Sequence, residues 1–264
     1  MVAAFARDGA VCVRNAFTPE QVALVREGIE RNLADPGPHG QVASAASDRG
    51  RFFEDFCRWT QIPEYRRFIE CSDAAAYAGT LMGAREVRLY HDHLLVKEPG
   101  TQQRTPWHQD QPYYNVDGRL VCSLWMPVDP VARASTLEFV AGSHDGTWYM
   151  PKTFLDEQPF GSFAPGTLRE VPGVGADGDE SRVIGWELQP GDCVFFHMLT
   201  LHGAGGTEGS TTRRRAFSLR WLGEDATFAP RAHRTSPPFP GLDDELAPGA
   251  PMDHELFPVL WRRA

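Results

Sequence analysis

Lysine is nearly missing from this chain: only Lys97 and Lys152 stand among its 26 basic residues, arginine supplying the rest. The 35 acidic residues leave a formal charge of -9, so the broad basic surface that a nucleic-acid or anionic-membrane binder needs is not there. The lysine shortage reads as compositional bias rather than function. The five cysteines, Cys12, Cys57, Cys71, Cys122 and Cys193, are odd in number and scattered, with no CxxC. That excludes a disulfide framework and a thiolate zinc site and suits reduced thiols in a cytoplasm. No run approaches 18 uninterrupted apolar residues, and the N-terminus "MVAAFARDGAVCVRNAF" lacks a charged segment followed by a long apolar one. Neither a membrane span nor a signal peptide is expected, and the expected location is cytoplasmic.

What is present is enough for a substantial core, with 42% apolar residues in 264. Up to about residue 85 the pattern is helical. In "FTPEQVALVREGIERNL", Thr18 is a candidate N-cap, Pro19 takes the first helical position and Gln21 closes a capping box. A second helix is expected over Pro63 to Met82, with "ADPGPHGQVASAASDRG" as the loop between. From Glu86 onward, short apolar runs punctuated by Pro and Gly predict strands: "VRLYHDHLLVK", "RLVCSLWMPVD", "TLEFVAGSH", "RVIGWEL", "CVFFHMLTLHG" and "RRAFSLRWLG". The expectation is a mainly β fold, a sandwich or barrel, as one domain: a helical flank (1–85), a β core (about 86–223) and a tail (224–264). Asp145 to Asp179 and Glu224 to Ala250 read as long irregular loops.

The chemistry is concentrated in "TPWHQDQPYYNVDG", Thr105 to Gly118. Residues two apart on a strand share a face, so His108 and Asp110 can point together into a cavity while Gln109 points away. One imidazole and one carboxylate are two-thirds of a facial triad for non-haem Fe(II), whose third member is a histidine from another strand. His202, beside the glycine-rich "GAGGTEG", and His197, in the apolar body of the same run, are the candidates, and position favours His202. A basic residue on the returning "TTRRRAFSLRW" can face the same cavity, and a guanidinium fork suits a carboxylate. Together these suggest a dicarboxylic co-substrate.

The ordered set "TPWHQDQPYY", "SLWMPVDPV", "LEFVAGSH", "QPGDCVFFHMLTLHGAGG" and "RRAFSLRW" resembles the phytanoyl-CoA dioxygenase family, roughly over Val87 to Gly223. The resemblance implies a double-stranded β-helix (jelly roll, cupin-like) that uses Fe(II), 2-oxoglutarate and O2, with His108, Asp110 and His202 as iron ligands. Arg214 is the implied anchor for 2-oxoglutarate, by its place two residues before Ala216, and Arg213 is a rival because the preceding loop is one residue longer than usual. Trp125 matches a tryptophan near the co-substrate, and Lys97 and Gln109 match commonly polar family positions. "RASTLEF" departs from the family's usual glycine before the leucine, at a turn. A carboxylate at Asp110 favours hydroxylation or another oxidation over halogenation. Without a basic run for a CoA phosphate cluster, the expected partner is a free small molecule, the protein being monomer or homodimer. Alternatives are a cupin-type isomerase or hydrolase that uses no keto acid, or a non-catalytic barrel.

Other histidines have plainer readings. His91 and His93, in "YHDHLLVK", are expected to line the barrel or meet the substrate rather than ligate metal. His144 reads as a turn residue; His39, His233 and His254 read as surface. Arg213, Arg214, Arg215 and Arg220 read, apart from the co-substrate anchor, as a solvated strand face, and the tail "DHELFPVLWRR" as amphipathic.

Overall fold

The computed structural model describes residues 1–161, 167–174 and 182–263. In chain order the elements are α1 (Val2–Asp8), β1 (Ala10–Val13), α2 (Pro19–Ala34), β2 (Gln41–Val42), β3 (Phe52–Phe56), α3 (Pro63–Cys71), α4 (Ala74–Met82), β4 (Glu86–Lys97), β5 (Thr105–His108), β6 (Val116–Asp117), β7 (Val121–Pro127), β8 (Leu137–Val140), β9 (Val183–Gly185), β10 (Cys193–His197), β11 (His202–Ala204), β12 (Arg214–Gly223), β13 (Thr227–Phe228), α5 (Leu242–Glu245) and β14 (Val259–Arg262). A large antiparallel sheet runs β1-β10-β7-β12-β4-β3-β2, with β14 also on β4, and faces a smaller one ordered β5-β11-β8-β9. This is a mainly β fold with flanking helices, as the strand pattern predicts, and it is the jelly roll that the family resemblance implies.

The helices cover the outer face of the large sheet. Helix α2 starts at the expected capping box: the Thr18 side chain accepts from the Gln21 amide and the Gln21 side chain accepts from the Thr18 amide. Its Val22, Val25 and Ile29 are buried, and they share one core with residues of α3 and α4 and with Leu94, Val96, Leu124, Phe217 and Leu219 of the sheet. Phe217 is fully buried, stacked on Tyr65 at 4.2 Å between centroids and edge-on to Phe68. Phe217→Ala is expected to cost about 3–5 kcal/mol, from lost transfer energy plus the cavity left behind. Urea unfolding checks it, and a loss below about 1 kcal/mol would contradict the packing described.

The expected helix over Pro63 to Met82 is two helices. Ser72 adopts an extended backbone (φ -97, ψ 167), and its hydroxyl accepts from the Ala74 amide at 3.4 Å. A serine that offers the chain a local alternative to the helical ladder is a sufficient cause for the break. The flank up to residue 85 is also less helical than its periodicity suggests, because β1, β2 and β3 join the large sheet. Strand β3 is buried at all five positions, with two acidic residues in it that hide the strand in the sequence. Asp55 accepts from Asn32 Nδ2 and Gly37 N, both at 2.7 Å, whereas Glu54 belongs to the opposite face. The tail docks on the fold: Val259, Trp261 and Arg262 pair with β4, and Phe257 is fully buried. The loop expected over Asp145 to Asp179 lies partly outside the described residues.

Strand β4 switches faces. Its residues pair Lys97↔Arg214, Leu95↔Ala216, His93↔Ser218 and His91↔Arg220, and the register then slips so that Leu89 meets Trp221. Tyr90 is the extra residue of a β-bulge, and a bulge exchanges the two faces of a strand. Consequently Leu89 and Val87 join the helix-side core along with Leu94 and Val96, while Tyr90 packs with Tyr114, Leu222 and Phe257 in a separate cluster. Before the slip, the odd-numbered residues 91 to 97 all turn inward between the two sheets.

Candidate active site

His108 closes β5 and His202 opens β11, and the two are direct cross-strand partners in the small sheet. Their ring centroids lie 4.1 Å apart. Each ring is fixed the same way: His108 Nδ1 is 2.8 Å from the Pro106 carbonyl and His202 Nδ1 is 2.9 Å from the Thr200 carbonyl. A carbonyl only accepts, so Nδ1 carries the proton and the Nε2 lone pair faces the interior. Burial pushes the His108 imidazole down to about 3 and also lowers His202. Both rings are therefore neutral near pH 7, the form that binds metal.

Asp110 reaches the same point by another route than the strand alternation expected for it. Strand β5 ends at His108, and Asp110 has a helical backbone (φ -73, ψ -46) at the start of a single 3-10 turn, Gln111–Tyr113. Its amide donates to the Met198 carbonyl at 2.8 Å, which ties this loop to the turn between β10 and β11. Gln109 does point away. Its side-chain amide donates to the carbonyls of Thr147 (2.9 Å) and Leu199 (2.7 Å) and accepts from Tyr149 N (2.9 Å). It holds the loop rather than lining the cavity.

The Asp110 carboxylate is divided between two duties. Oδ2 accepts from Ser123 Oγ at 2.6 Å and faces Arg220 Nε at 3.0 Å. Oδ1 accepts a longer bond from Arg220 Nη2 at 3.4 Å and lies 3.8 Å from His108 Nε2 and 3.7 Å from His202 Nε2. Because the imidazoles are neutral, these are contacts around a shared point, not ion pairs. Among the described residues, His108, Asp110 and His202 are the group of side chains able to hold a metal ion, with ligand atoms all within 4.8 Å of one another. Burial alone would raise the Asp110 carboxyl, but the Arg220 guanidinium, helped by the Ser123 hydroxyl, outweighs it and holds the group well below the usual carboxylate range.

Arg220 is the residue that sequence reasoning missed. Its neighbours suggest a solvated face, yet it is buried, bonded to Tyr114 OH at 3.0 Å and to Ser218 Oγ, and paired with Asp110. The signal was available: Arg214, Ala216, Ser218 and Arg220 share strand parity, so an inward Arg214 implies an inward Arg220. Arg220→Met should leave Asp110 with burial and one cation fewer. Its carboxyl is then expected to move up, metal affinity to fall about 10–100-fold, and half-maximal metal loading to require a higher pH. A metal titration across pH checks this, and an unshifted profile would contradict the pairing.

Three rungs along the ladder stands Arg214, 5% exposed, with its guanidinium 5.8 Å from the Trp125 ring. Among the described residues it has no carboxylate partner. It donates to the Ser135 carbonyl, and its Nε has no hydrogen-bond partner. Burial pushes it down to about 10. An unpaired buried cation is costly, and an arriving anion would relieve that cost. Arg213 turns outward to Glu98 (3.0 Å) and Glu30 (3.4 Å), and Arg215 to Asp129 and Glu30, both at 2.6 Å. Only Arg214 of the three faces the cavity. Lys97 is buried but does not line it. Its ammonium donates to the carbonyls of Gln103 (2.7 Å) and Gly205 (3.1 Å), clasping the loop that enters β5 to the loop that leaves β11.

The cavity holds roughly 360 Å³ and contains the three candidate ligands, Trp125, Arg214 and Arg220, with His91 and His93 on its wall. No metal-holding group among the described residues includes His91 or His93. His197 ends β10 rather than sitting in a strand body, because β10 and β11 are separate strands; both its ring nitrogens are engaged, with Arg119 O (2.9 Å) and Leu199 N (3.0 Å). His144 contacts the Ala6 carbonyl at 3.3 Å, and His39, His233 and His254 are half-buried rather than fully exposed.

The comparison with known proteins agrees with this geometry. The family model described as phytanoyl-CoA dioxygenase matches residues 5–216. A probable phytanoyl-CoA dioxygenase of Caenorhabditis elegans is 29% identical over 142 residues, 51% of this chain and 42% of that protein. The peroxisomal phytanoyl-CoA dioxygenase of Homo sapiens is 24% identical over 224 residues, 81% of this chain and 59% of that one. The chain thus spans about half the length of the curated relatives it matches. Among solved structures, the epimerase SnoN in complex with Fe3+, alpha ketoglutarate and nogalamycin RO superposes with a TM-score of 0.75 at 22% identity, covering 98% of this chain and 97% of SnoN. At that identity the likeness speaks to the fold. With a family match over most of its length, and with the fold and the three converging side chains in place, this chain belongs to the phytanoyl-CoA dioxygenase family.

Proposed function

We propose that this chain is an Fe(II)- and 2-oxoglutarate-dependent oxygenase that oxidises an unactivated C–H bond of a small-molecule metabolite, hydroxylation being the outcome its ligand set favours. The observation that carries this reading is the pairing, in one cavity, of the His108, Asp110 and His202 donor set with the buried, unpaired Arg214. Two neutral imidazoles and one ionised carboxylate fit Fe(II) and leave positions open for other ligands. A guanidinium fork without a partner fits the distal carboxylate of 2-oxoglutarate. When bound, the iron and the keto acid supply the oxidising chemistry, using O2 and converting 2-oxoglutarate to succinate and CO2.

The protein's own residues set the stage for that chemistry. Ser123 on Oδ2 and Arg220 across both oxygens hold the Asp110 carboxylate so that Oδ1 faces the two imidazoles. Backbone carbonyls 106 and 200 fix both tautomers. Trp125 stands beside Arg214, and Leu137 and Phe196 line the same cavity; these apolar walls lower the local dielectric and so would strengthen a guanidinium–carboxylate pair formed there. A cupin-type isomerase or hydrolase without a keto acid would leave Arg214 with nothing to bind. The net charge of -9 and the small cavity fit a small molecule rather than nucleic acid. No helix among the described residues is long and apolar enough to cross a membrane. The test is succinate release from purified protein given Fe(II), 2-oxoglutarate and O2. Release that rises with a metabolite substrate and is lost in His108→Ala supports the reading; failure to bind or consume 2-oxoglutarate counts against it.

A further inference from the structure

The far end of the inward-facing ladder carries polar groups that the metal and keto-acid reading does not use. His91 is 2% exposed, lines the cavity, and has a buried Nε2 without a hydrogen-bond partner. Its Nδ1 lies 3.1 Å from the Asp92 carbonyl, so Nδ1 carries the proton and Nε2 presents a bare lone pair. Two residues on, His93 Nε2 is 3.1 Å from Glu54 Oε2, and Glu54 Oε1 accepts from Gln41 Nε2 at 2.7 Å. Glu54 is 6% exposed and also lines the cavity. A carboxylate takes about four donors, and these are two. The wall therefore offers acceptors at two points, and leaving buried acceptors unmet is costly. A ligand that settles there has to bring hydrogen-bond donors.

Charge narrows the kind of donor. Arg220 is the cross-strand partner of His91, so a cationic group on the ligand would sit beside a guanidinium and near the metal centre. An anionic group would meet Glu54. Neutral O–H donors meet neither penalty. The rest of the lining is rich in aromatics: Tyr113 touches both Phe154 and Phe160, and Phe56, cross-strand partner of His93, stands edge-on to both histidines. That suits the apolar face of a ring.

Resting on the oxygenase reading and naming its substrate class, we propose that His91 and Glu54 recognise a neutral, multiply hydroxylated ring compound of the polyol or glycoside kind. His91 Nε2 accepts one hydroxyl, Glu54 accepts another, and the aromatic cluster covers the ring.

Calorimetric titration of the Fe(II)-loaded protein, kept free of O2, with 4-nitrophenyl glucoside tests this, beside its per-O-methyl ether and 4-nitrophenethylamine. The glucoside is expected to bind at least about tenfold tighter than either, each lost hydrogen bond being worth up to a factor of about ten. His91→Leu and Glu54→Gln should each weaken the glucoside about tenfold and leave the ether unchanged. His91→Gln, which restores an acceptor, should recover part of the loss. A parallel 2-oxoglutarate titration of each variant should match the unsubstituted protein, which shows that the cavity is intact. Equal binding of glucoside and ether, tighter binding of the amine, no binding of the glucoside, or indifference to both substitutions overturns the proposal. If 2-oxoglutarate binds while the glucoside does not, the oxygenase reading stands and this inference falls; if 2-oxoglutarate fails to bind, the oxygenase reading falls instead.

Discussion

His202→Ala is expected to lower Fe(II) affinity and substrate-dependent succinate formation by at least about 100-fold, the upper end of what loss of a mere supporting contact costs a metal site. The protein should stay folded. The imidazole is held by one backbone hydrogen bond and by ring contacts with His108 (4.1 Å) and Phe139 (6.0 Å) of the small sheet and Phe196 (4.6 Å) of the large one. His197→Ala is the control. That ring bonds only to Arg119 and Leu199, so its loss should leave metal binding near the unsubstituted level while costing some stability. Iron titration of both variants, with circular dichroism alongside, separates the two histidines that the sequence left in competition. Retained iron binding in His202→Ala would remove the third ligand from the account.

Arg214→Met should produce two opposite effects. The charge-assisted bonds of a guanidinium fork are worth about 1.5–3 kcal/mol, so 2-oxoglutarate affinity should fall roughly 10–100-fold. At the same time the variant without co-substrate should be more stable, by about 1–2 kcal/mol, because replacing an uncompensated buried charge by an apolar side chain of similar volume is often stabilising. Thermal unfolding with and without 2-oxoglutarate reads both at once. The unsubstituted protein melts lower alone and gains with the keto acid; the variant starts higher and gains little. Arg214→Lys should recover only part of the affinity, since a point charge does not reproduce the fork. Arg213→Met should change neither quantity much, because that guanidinium faces Glu98 and Glu30 at the surface. A variant at 214 that binds 2-oxoglutarate normally would break the link between the unpaired cation and its proposed anion.

Much of this was legible in the sequence because it depends on short-range rules. The capping box at Thr18, the β strands from Glu86 onward and the inward parity of Arg214, Ala216 and Ser218 follow from local periodicity. Other features depend on what the chain meets later. Strand β3 hides two carboxylates whose partners, Asn32 and Gly37 for Asp55 and Gln41 and His93 for Glu54, lie elsewhere in the chain, so in isolation "RFFEDF" does not alternate. The split between β10 and β11 is set by which sheet each half joins, and an apolar run cannot show that. His108 and Asp110 do share a focus, but through a strand end followed by a helical turn rather than through strand alternation. Arg220 reads as surface because it stands near three other arginines; its parity with Arg214 points it inward, and the buried Asp110 carboxylate is what stabilises an inward guanidinium there. Lys97 and Gln109, singled out by resemblance, instead brace the loops on which the candidate ligands stand.

The most direct measurement is an anaerobic titration of the Fe(II)-loaded protein with 2-oxoglutarate, followed by visible absorption. The account predicts a weak visible charge-transfer band, as expected for a keto acid chelating Fe(II) at a site with open positions, present in the unsubstituted protein, saturating at higher 2-oxoglutarate in Arg214→Met, and lost in His202→Ala. Protein that takes up Fe(II) and develops no such band at saturating 2-oxoglutarate would contradict it.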